Sequence, residues 1–72
     1  MVYRVRIFLR RSDQTAGRYI GERFLHSVPQ LHGRVAFQLD GGLQSGKVER
    51  IVPADWEPAS EFIPTIHVLQ GV

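Results

Sequence analysis

Apolar and polar residues alternate with a period of two along several short stretches of the chain, and the clearest of these is Val2–Arg10. Successive side chains of a β-strand point to opposite faces, so this period predicts a strand with one buried face. Val5, Ile7 and Leu9 occupy the face that we expect to be buried. The opposite face carries basic and aromatic residues, namely Arg4, Arg6, Phe8 and Arg10.

Two further stretches lie on either side of a glycine-rich segment and predict a β-hairpin. The first strand of this hairpin is Arg34–Asp40, and its alternation turns Val35, Phe37 and Leu39 inward. The segment between the two strands contains three glycines, which favour a turn because glycine readily adopts positive φ. We therefore expect this hairpin to lie at the centre of the fold.

The second strand of the hairpin, Lys47–Val52, has a less regular pattern. Two inward sets fit it, either Val48 with Val52 or Ile51 alone. This irregularity predicts a β-bulge or a strong bend, because an inserted residue moves the following side chains to the other face.

Two more strands complete the predicted set. Arg18–Val28 has an ambiguous register, and we favour Ile20 and Phe24 inward, with a β-bulge at Gly21. The last strand is Thr65–Gln70, in which the two inward residues are Ile66 and Val68 and the outward residue is His67.

The segment before the last strand contains prolines at positions 53, 58 and 64. Proline removes a backbone donor and clashes with the preceding turn, so these positions exclude a long helix. One helical or 3₁₀ turn around Trp56 remains compatible with them, since proline is tolerated at a first helical position. We expect Trp56 to close one end of the core and its indole N–H to find a hydrogen-bond partner.

Five strands with short connections predict an all-β domain, either a five-stranded antiparallel small barrel or a strongly bent sheet. Five strands with a single proline-broken turn before the last one resemble the small barrel of the Src-homology-3-like type. The segment Gly46–Ile51 is similar to the glycine-led kernel of KOW-type segments. That resemblance implies the small barrel in which KOW-type segments occur in ribosomal and transcription proteins.

Length and composition indicate one folded domain over residues 1–72, with 43% hydrophobic and 22% charged residues. The chain has no cysteine, so a reducing compartment such as the cytoplasm is the simplest interpretation. No apolar run approaches the roughly 20 residues of a membrane span, and we predict no membrane partner. Arginines interrupt the apolar N-terminal segment, so we do not expect this segment to be a secretory signal.

The net charge of +2 is unevenly distributed along the chain. Residues 1–36 hold seven arginines against two acidic residues, a balance of +5. Residues 37–72 hold two cations against five acidic residues, a balance of −3. The asymmetry favours either a polyanionic or acidic partner for the first half, or mutual neutralisation of the two halves across the fold.

Sequence patterns for catalysis are weak. Gly41–Lys47 matches G-x-x-x-x-G-K, but Val48 and a strand follow where a phosphate-binding loop needs Ser or Thr and a helix. The three histidines have no metal-ligand spacing, and no serine lies in a G-x-S-x-G context. We therefore predict no catalytic residue, no metal site and no cofactor, and we expect a protein other than an enzyme.

The remaining functional candidates are arginines and one aromatic residue: Arg4, Arg6, Phe8, Arg10, Arg18 and Arg23. Such a face can bind single-stranded nucleic acid, because arginines contact phosphates and an aromatic ring stacks on a base. Alternatively, these arginines protect the strand against aggregation and pair with Glu22 or Glu49. They are also compatible with a protein interface.

Two functional hypotheses follow. The first is a protein-interaction or assembly module with an unknown partner or a second copy of itself, based on small size, exposed Phe8 and Leu69, and oppositely charged halves. The alternative is weak binding of single-stranded RNA or DNA through the arginine-rich first strand.

Overall fold

The computed structural model describes residues 1–71, which form five β-strands and no helix. The strands are β1 (Tyr3–Arg11), β2 (Arg18–Leu25), β3 (Arg34–Leu39), β4 (Gly42–Val52) and β5 (Thr65–Gln70). They lie in one sheet in the order β2-β1-β5-β4-β3. The all-β class and the five strands are confirmed.

The sheet is mixed, because β1 and β5 run parallel while all other neighbours are antiparallel. The prediction of purely antiparallel pairing was therefore wrong. Alternation decides which side chains are buried, but it carries no information on which strand lies beside which, or in what direction. The last strand lies in the middle of the sheet, between the first and the fourth, so the expectation of a central β3–β4 hairpin was wrong, and β3 is an edge strand.

The sheet curls strongly, so that its two edge strands, β2 and β3, approach each other without forming a backbone ladder. The side chain of Arg23 on β2 bridges this seam, where its Nε donates a hydrogen bond to the backbone oxygen of Gln38 at 2.6 Å. The result is a half-barrel that encloses a single core. Its buried hydrophobic residues are Val5, Ile7, Leu9, Leu25, Val35, Phe37, Val48, Ile66 and Val68.

This core confirms the inward faces predicted for β1 and β5 and most of the face predicted for β3. Val5, Ile7, Ile66 and Val68 are fully buried or nearly so. Leu39 is half-buried and packs against the core. Regular alternation therefore identified the buried face wherever the strand has no bulge.

Strand β2 contains the bulge predicted at Gly21. Ile7 pairs with Gly21 but Phe8 pairs with Tyr19, so Ile20 is the inserted residue, and Gly21 has φ of +104°. Ile20 packs against the core as predicted. The inward placement of Phe24 was wrong, since its side chain is 63% exposed and Leu25 is buried instead. One inserted residue exchanges the two faces of the strand beyond it.

Strand β4 contains the second predicted bulge. Val48 pairs with Val68 and Arg50 with His67, which leaves Glu49 as the inserted residue. The inward residues are consequently Val48 and Ile51, so neither predicted set was right.

The hairpin turn is tighter than the glycine-rich segment suggested. It consists of Asp40 and Gly41, both with positive φ, and β4 already begins at Gly42. An Asp-Gly pair is a typical two-residue hairpin turn, because both central residues need positive φ.

Residues 53–64, here called the acidic loop, connect β4 to β5. Trp56 N donates to the oxygen of Pro53 at 3.1 Å, and Ser60 N donates to the oxygen of Glu57 at 2.9 Å. These are isolated turns, so the helical or 3₁₀ turn predicted near Trp56 was wrong. Trp56 is half-buried and lies outside the core cluster, which also corrects its predicted place in the core. Its indole N–H does have the predicted partner, the oxygen of Phe62 at 3.1 Å.

Candidate functional site

The convex side of the half-barrel, here called the outer face, collects the side chains that alternate with the core. The parallel and antiparallel ladders align these residues in rows across β1, β5 and β4. The three rows are Arg6, Thr65 and Val52, then Phe8, His67 and Arg50, then Arg10, Leu69 and Lys47.

Three rings lie together across the middle of the outer face. The ring centroids of Phe8 and His67 are 5.2 Å apart with an interplanar angle of 13°, and those of Phe8 and Tyr19 are 5.3 Å apart at 45°. The first pair is stacked and the second is tilted. Phe8 therefore has a ring neighbour on each adjacent strand, His67 on β5 and Tyr19 on β2. The outward direction predicted for Phe8 and His67 is right, but Phe8 is half-buried.

Two of the predicted site arginines have carboxylate partners. Arg4 Nε lies 2.7 Å from Glu22 Oε1, and Arg10 Nη2 lies 2.6 Å from Glu49 Oε1. Glu22 lies on the neighbouring strand β2, whereas Glu49, the residue inserted by the β4 bulge, reaches Arg10 from the far side of β5. The hydrogen bond to Glu49 raises the pKa of Arg10; desolvation opposes this, and the charge of Glu49 adds to it. The predicted pairing with Glu22 or Glu49 is thus observed for these two arginines.

The other predicted arginines lie in different places. Arg6 remains on the outer face beside Phe8. Arg18 pairs across the ladder with buried Leu9, so it lies on the inner side of the sheet, opposite to the outer face. Arg23 is half-buried at the seam, where its hydrogen bonds go to the backbone oxygens of Gln38 and Glu22. The structure therefore brings Arg4, Arg6, Phe8 and Arg10 together and separates Arg18 and Arg23 from them.

The outer face also contains cations that the sequence interpretation missed. Lys47 and Arg50 lie on β4, across β5 from the first strand. Among residues 1–71, no carboxylate lies within ion-pair distance of Arg6, Lys47 or Arg50. The outward position of His67 was predictable, but the proximity of β4 to β5 and β1 depends on the strand order.

The acidic loop lies at one end of the half-barrel and carries the opposite charge. Its charged residues are Asp55, Glu57 and Glu61, and it contains no lysine or arginine. None of these three carboxylates forms an ion pair within the described part of the chain. Buried Pro64 anchors the end of the loop, and its oxygen accepts a hydrogen bond from Arg6 N at 2.9 Å.

Within the acidic loop, Phe62 is held by hydrogen bonds on both sides of its backbone. Its N–H donates to Ser60 Oγ at 3.1 Å, and its oxygen accepts the Trp56 indole N–H at 3.1 Å. Its side chain is nevertheless 78% exposed. The loop therefore displays an aromatic ring on a backbone that is already fixed.

An open groove of about 330 Å³ runs between the acidic loop and the start of β1. Val2 and Arg4 line one side, and Trp56, Pro58 and Phe62 line the other. Its walls are mixed, with more polar than apolar surface, and Glu61 is one of the lining residues. Because Phe62 is one of the lining residues, its exposed side chain lies beside a concave surface.

None of the protein-family models, curated proteins or solved structures that were compared with the chain matches it. Within the described residues, no group of three or more His, Cys, Asp or Glu side chains is arranged to hold a metal ion. No helix in residues 1–71 is long and apolar enough to cross a membrane. The functional argument therefore depends on the outer face and the acidic loop.

Proposed function

We propose that this protein is a non-catalytic protein-interaction module, and that its main contact surface is the acidic loop with the adjoining groove. The observation that supports this most is Phe62, which is exposed although the backbone around it is fixed. The expected partner surface contributes an apolar side chain to the groove and basic side chains to the loop carboxylates.

The energetic argument starts from the small size of the core. Burial of a phenylalanine side chain is worth about 1.5 to 3 kcal/mol, and a short chain has few such contributions to its stability. Leaving Phe62 exposed forgoes that stabilisation in the isolated chain. Aromatic residues are enriched at the centres of protein interfaces, where they contribute most to affinity. Because the loop is already ordered, binding costs it little conformational entropy.

We also propose that the half-barrel is an open variant of the Src-homology-3-like small barrel. Five strands and a strong curl support this proposal, and the parallel pairing of β1 with β5 is its main departure from an antiparallel barrel. Fold similarity alone does not determine function, so the interaction role rests on the surfaces.

Photo-crosslinking at position 62 tests the interaction role. With a photoreactive phenylalanine analogue in place of Phe62, we expect one discrete crosslinked product in a lysate of the source cells. A crosslink to a different protein should be suppressed by excess wild-type protein but not by excess Phe62→Ser protein, because the serine variant lacks the ring that anchors the contact. The readout is the crosslinked band on a denaturing gel.

Leu43 provides the matched control, since it is also largely exposed, at 69%, but lies on the β3–β4 hairpin. The same analogue at position 43 should give no competed product. No product from position 62, or equal products from both positions, would contradict the proposal.

Binding of single-stranded nucleic acid is a second candidate function, favoured by the cations of the outer face. Arg6, Lys47 and Arg50 lie on one surface, whereas five carboxylates of the chain lie in its loops and turns. Clustered cations on a sheet can contact successive phosphates. Phe8 is half-buried between His67 and Tyr19, so this proposal rests on the cations and not on base stacking.

Titration of a labelled single-stranded oligonucleotide tests this second function. From about 50 to about 200 mM salt, the affinity should fall about tenfold, because each phosphate contact releases a counterion. The Arg6→Gln/Arg50→Gln variant should bind more weakly and show a shallower salt dependence. The Arg11→Gln/Arg18→Gln variant removes the same charge from the inner side and should bind like wild type. Equal losses in both variants, or no binding at low salt, would exclude a specific site on the outer face.

A further inference from the structure

We propose that the protein self-associates head to tail, with the acidic loop of one copy on the outer face of the next. The contact on the receiving copy is the part of the outer face that contains Lys47 and Leu69 in its end row and Arg50 in the next row. This inference rests on the proposed interaction role of the acidic loop and specifies its partner as a second copy of the chain.

Charge complementarity is the first argument. The acidic loop carries three carboxylates without ion-pair partners, and Lys47 and Arg50 are cations without ion-pair partners, all within residues 1–71. Two surfaces of opposite sign on one molecule attract each other in a second copy.

The positions of the two surfaces are the second argument. The acidic loop follows Val52, at one end of β4, whereas Lys47 lies five residues earlier on the same strand. This separation is roughly 15 Å along an extended strand. A copy whose loop is fixed at one end therefore reaches the Lys47 end of a neighbour more readily than its own.

The receiving surface also contains an apolar contact for Phe62. Leu69 is half-buried and lies in one row between Arg10 and Lys47. Arg10 is already neutralised by Glu49, so Lys47 is the cation of this row that is available to a loop carboxylate. When the Phe62 ring of one copy packs on Leu69 of the next, a carboxylate of the acidic loop can lie beside Lys47. The apolar and the acidic side chains of the loop then both have a contact.

A loop-on-face contact that is not reciprocated is heterologous and produces chains or rings, whereas a reciprocated one would stop at a symmetric dimer. A stable interface buries about 800 Å² on each partner. The described chain exposes 5009 Å², which is enough for both a loop contact and a face contact on every copy.

Two complementary variants test this arrangement. The loop variant Glu61→Gln/Phe62→Ser keeps the outer face, and the face variant Lys47→Gln/Arg50→Gln keeps the acidic loop. In sedimentation velocity, wild-type protein should form species larger than a dimer as its concentration rises. Each variant alone should associate at least about tenfold more weakly, because it loses charge and, in the loop variant, the Phe62 ring from one of the two contacting surfaces.

An equimolar mixture of the two variants is the decisive sample. The intact loop of the face variant should bind the intact face of the loop variant, and the mixture should stop at a one-to-one dimer. A mixture that stays monomeric, or wild-type protein that stays monomeric at every concentration, would overturn the proposal.

A matched control is Asp40→Asn/Leu43→Ser, which removes one carboxylate and one exposed apolar side chain from the hairpin. It should associate like wild type, and loss of association in this control would overturn the assignment to the acidic loop. Circular dichroism of every variant should retain the β spectrum of wild type. If wild type is monomeric but the Phe62 crosslink to a different protein forms, self-association is wrong and the interaction role stands. If the crosslink is also missing, both proposals fail.

Discussion

Replacement of Gly46 by alanine is expected to lower the free energy of unfolding by about 2 to 3 kcal/mol. A Cβ atom at this position would lie 2.5 Å from Val68 Cγ1 and 2.7 Å from the backbone oxygen of Leu69. The second contact is to backbone in the centre of the sheet, which cannot move without disturbing the β4–β5 ladder. A domain of this size should lose roughly 10 °C or more of its melting temperature.

The matched control for this prediction is Gly42→Ala on the same strand. A Cβ atom there has only the backbone oxygen of Leu39 within contact range, at 3.9 Å, so stability should change by less than about 0.5 kcal/mol. Urea denaturation followed by circular dichroism measures both variants. Equal stability of the two alanine variants would show that β4 does not approach β5 at Gly46 as described.

Replacement of Ile66 by alanine is expected to lower the free energy of unfolding by about 3 to 4 kcal/mol. Ile66 is fully buried on β5, which lies between β1 and β4, so truncation leaves a cavity that both neighbouring strands enclose. Domains have about 0.05 to 0.15 kcal/mol of stability per residue, which gives this chain roughly 4 to 11 kcal/mol. The variant should therefore be partly or largely unfolded at 37 °C, as measured by thermal and urea denaturation.

The Phe24→Thr variant tests whether removal of any large hydrophobic side chain destabilises the fold as much as Ile66→Ala does. Phe24 is the larger side chain, but it is 63% exposed, and threonine retains a high strand propensity. We expect a change of less than about 0.5 kcal/mol. A loss comparable with that of Ile66→Ala would place Phe24 in the core and remove the β2 bulge from the fold.

The sequence correctly predicted the site features that depend on a single strand, but it missed those that depend on which strands lie side by side. The basic character of the β1 face followed from alternation alone, and Arg4, Arg6, Phe8 and Arg10 do share it. That Lys47 and Arg50 join this face depends on β5 lying between β1 and β4. The exposed ring of Phe62 lies on a backbone that donates to Ser60 Oγ and accepts from the Trp56 indole N–H, and no periodic pattern encodes these hydrogen bonds.

The amino-acid sequence by itself determined the all-β class and the buried faces of β1, β3 and β5, because a period of two assigns a side to every residue of an unbroken strand. It also indicated both bulges, through Gly21 and through the irregular pattern of Lys47–Val52. Only the tertiary structure decided the strand order, the parallel pairing of β1 with β5 and the faces beyond each bulge. The physical reason is that burial is a property of one strand, whereas pairing and register arise from the packing of all five strands around one core.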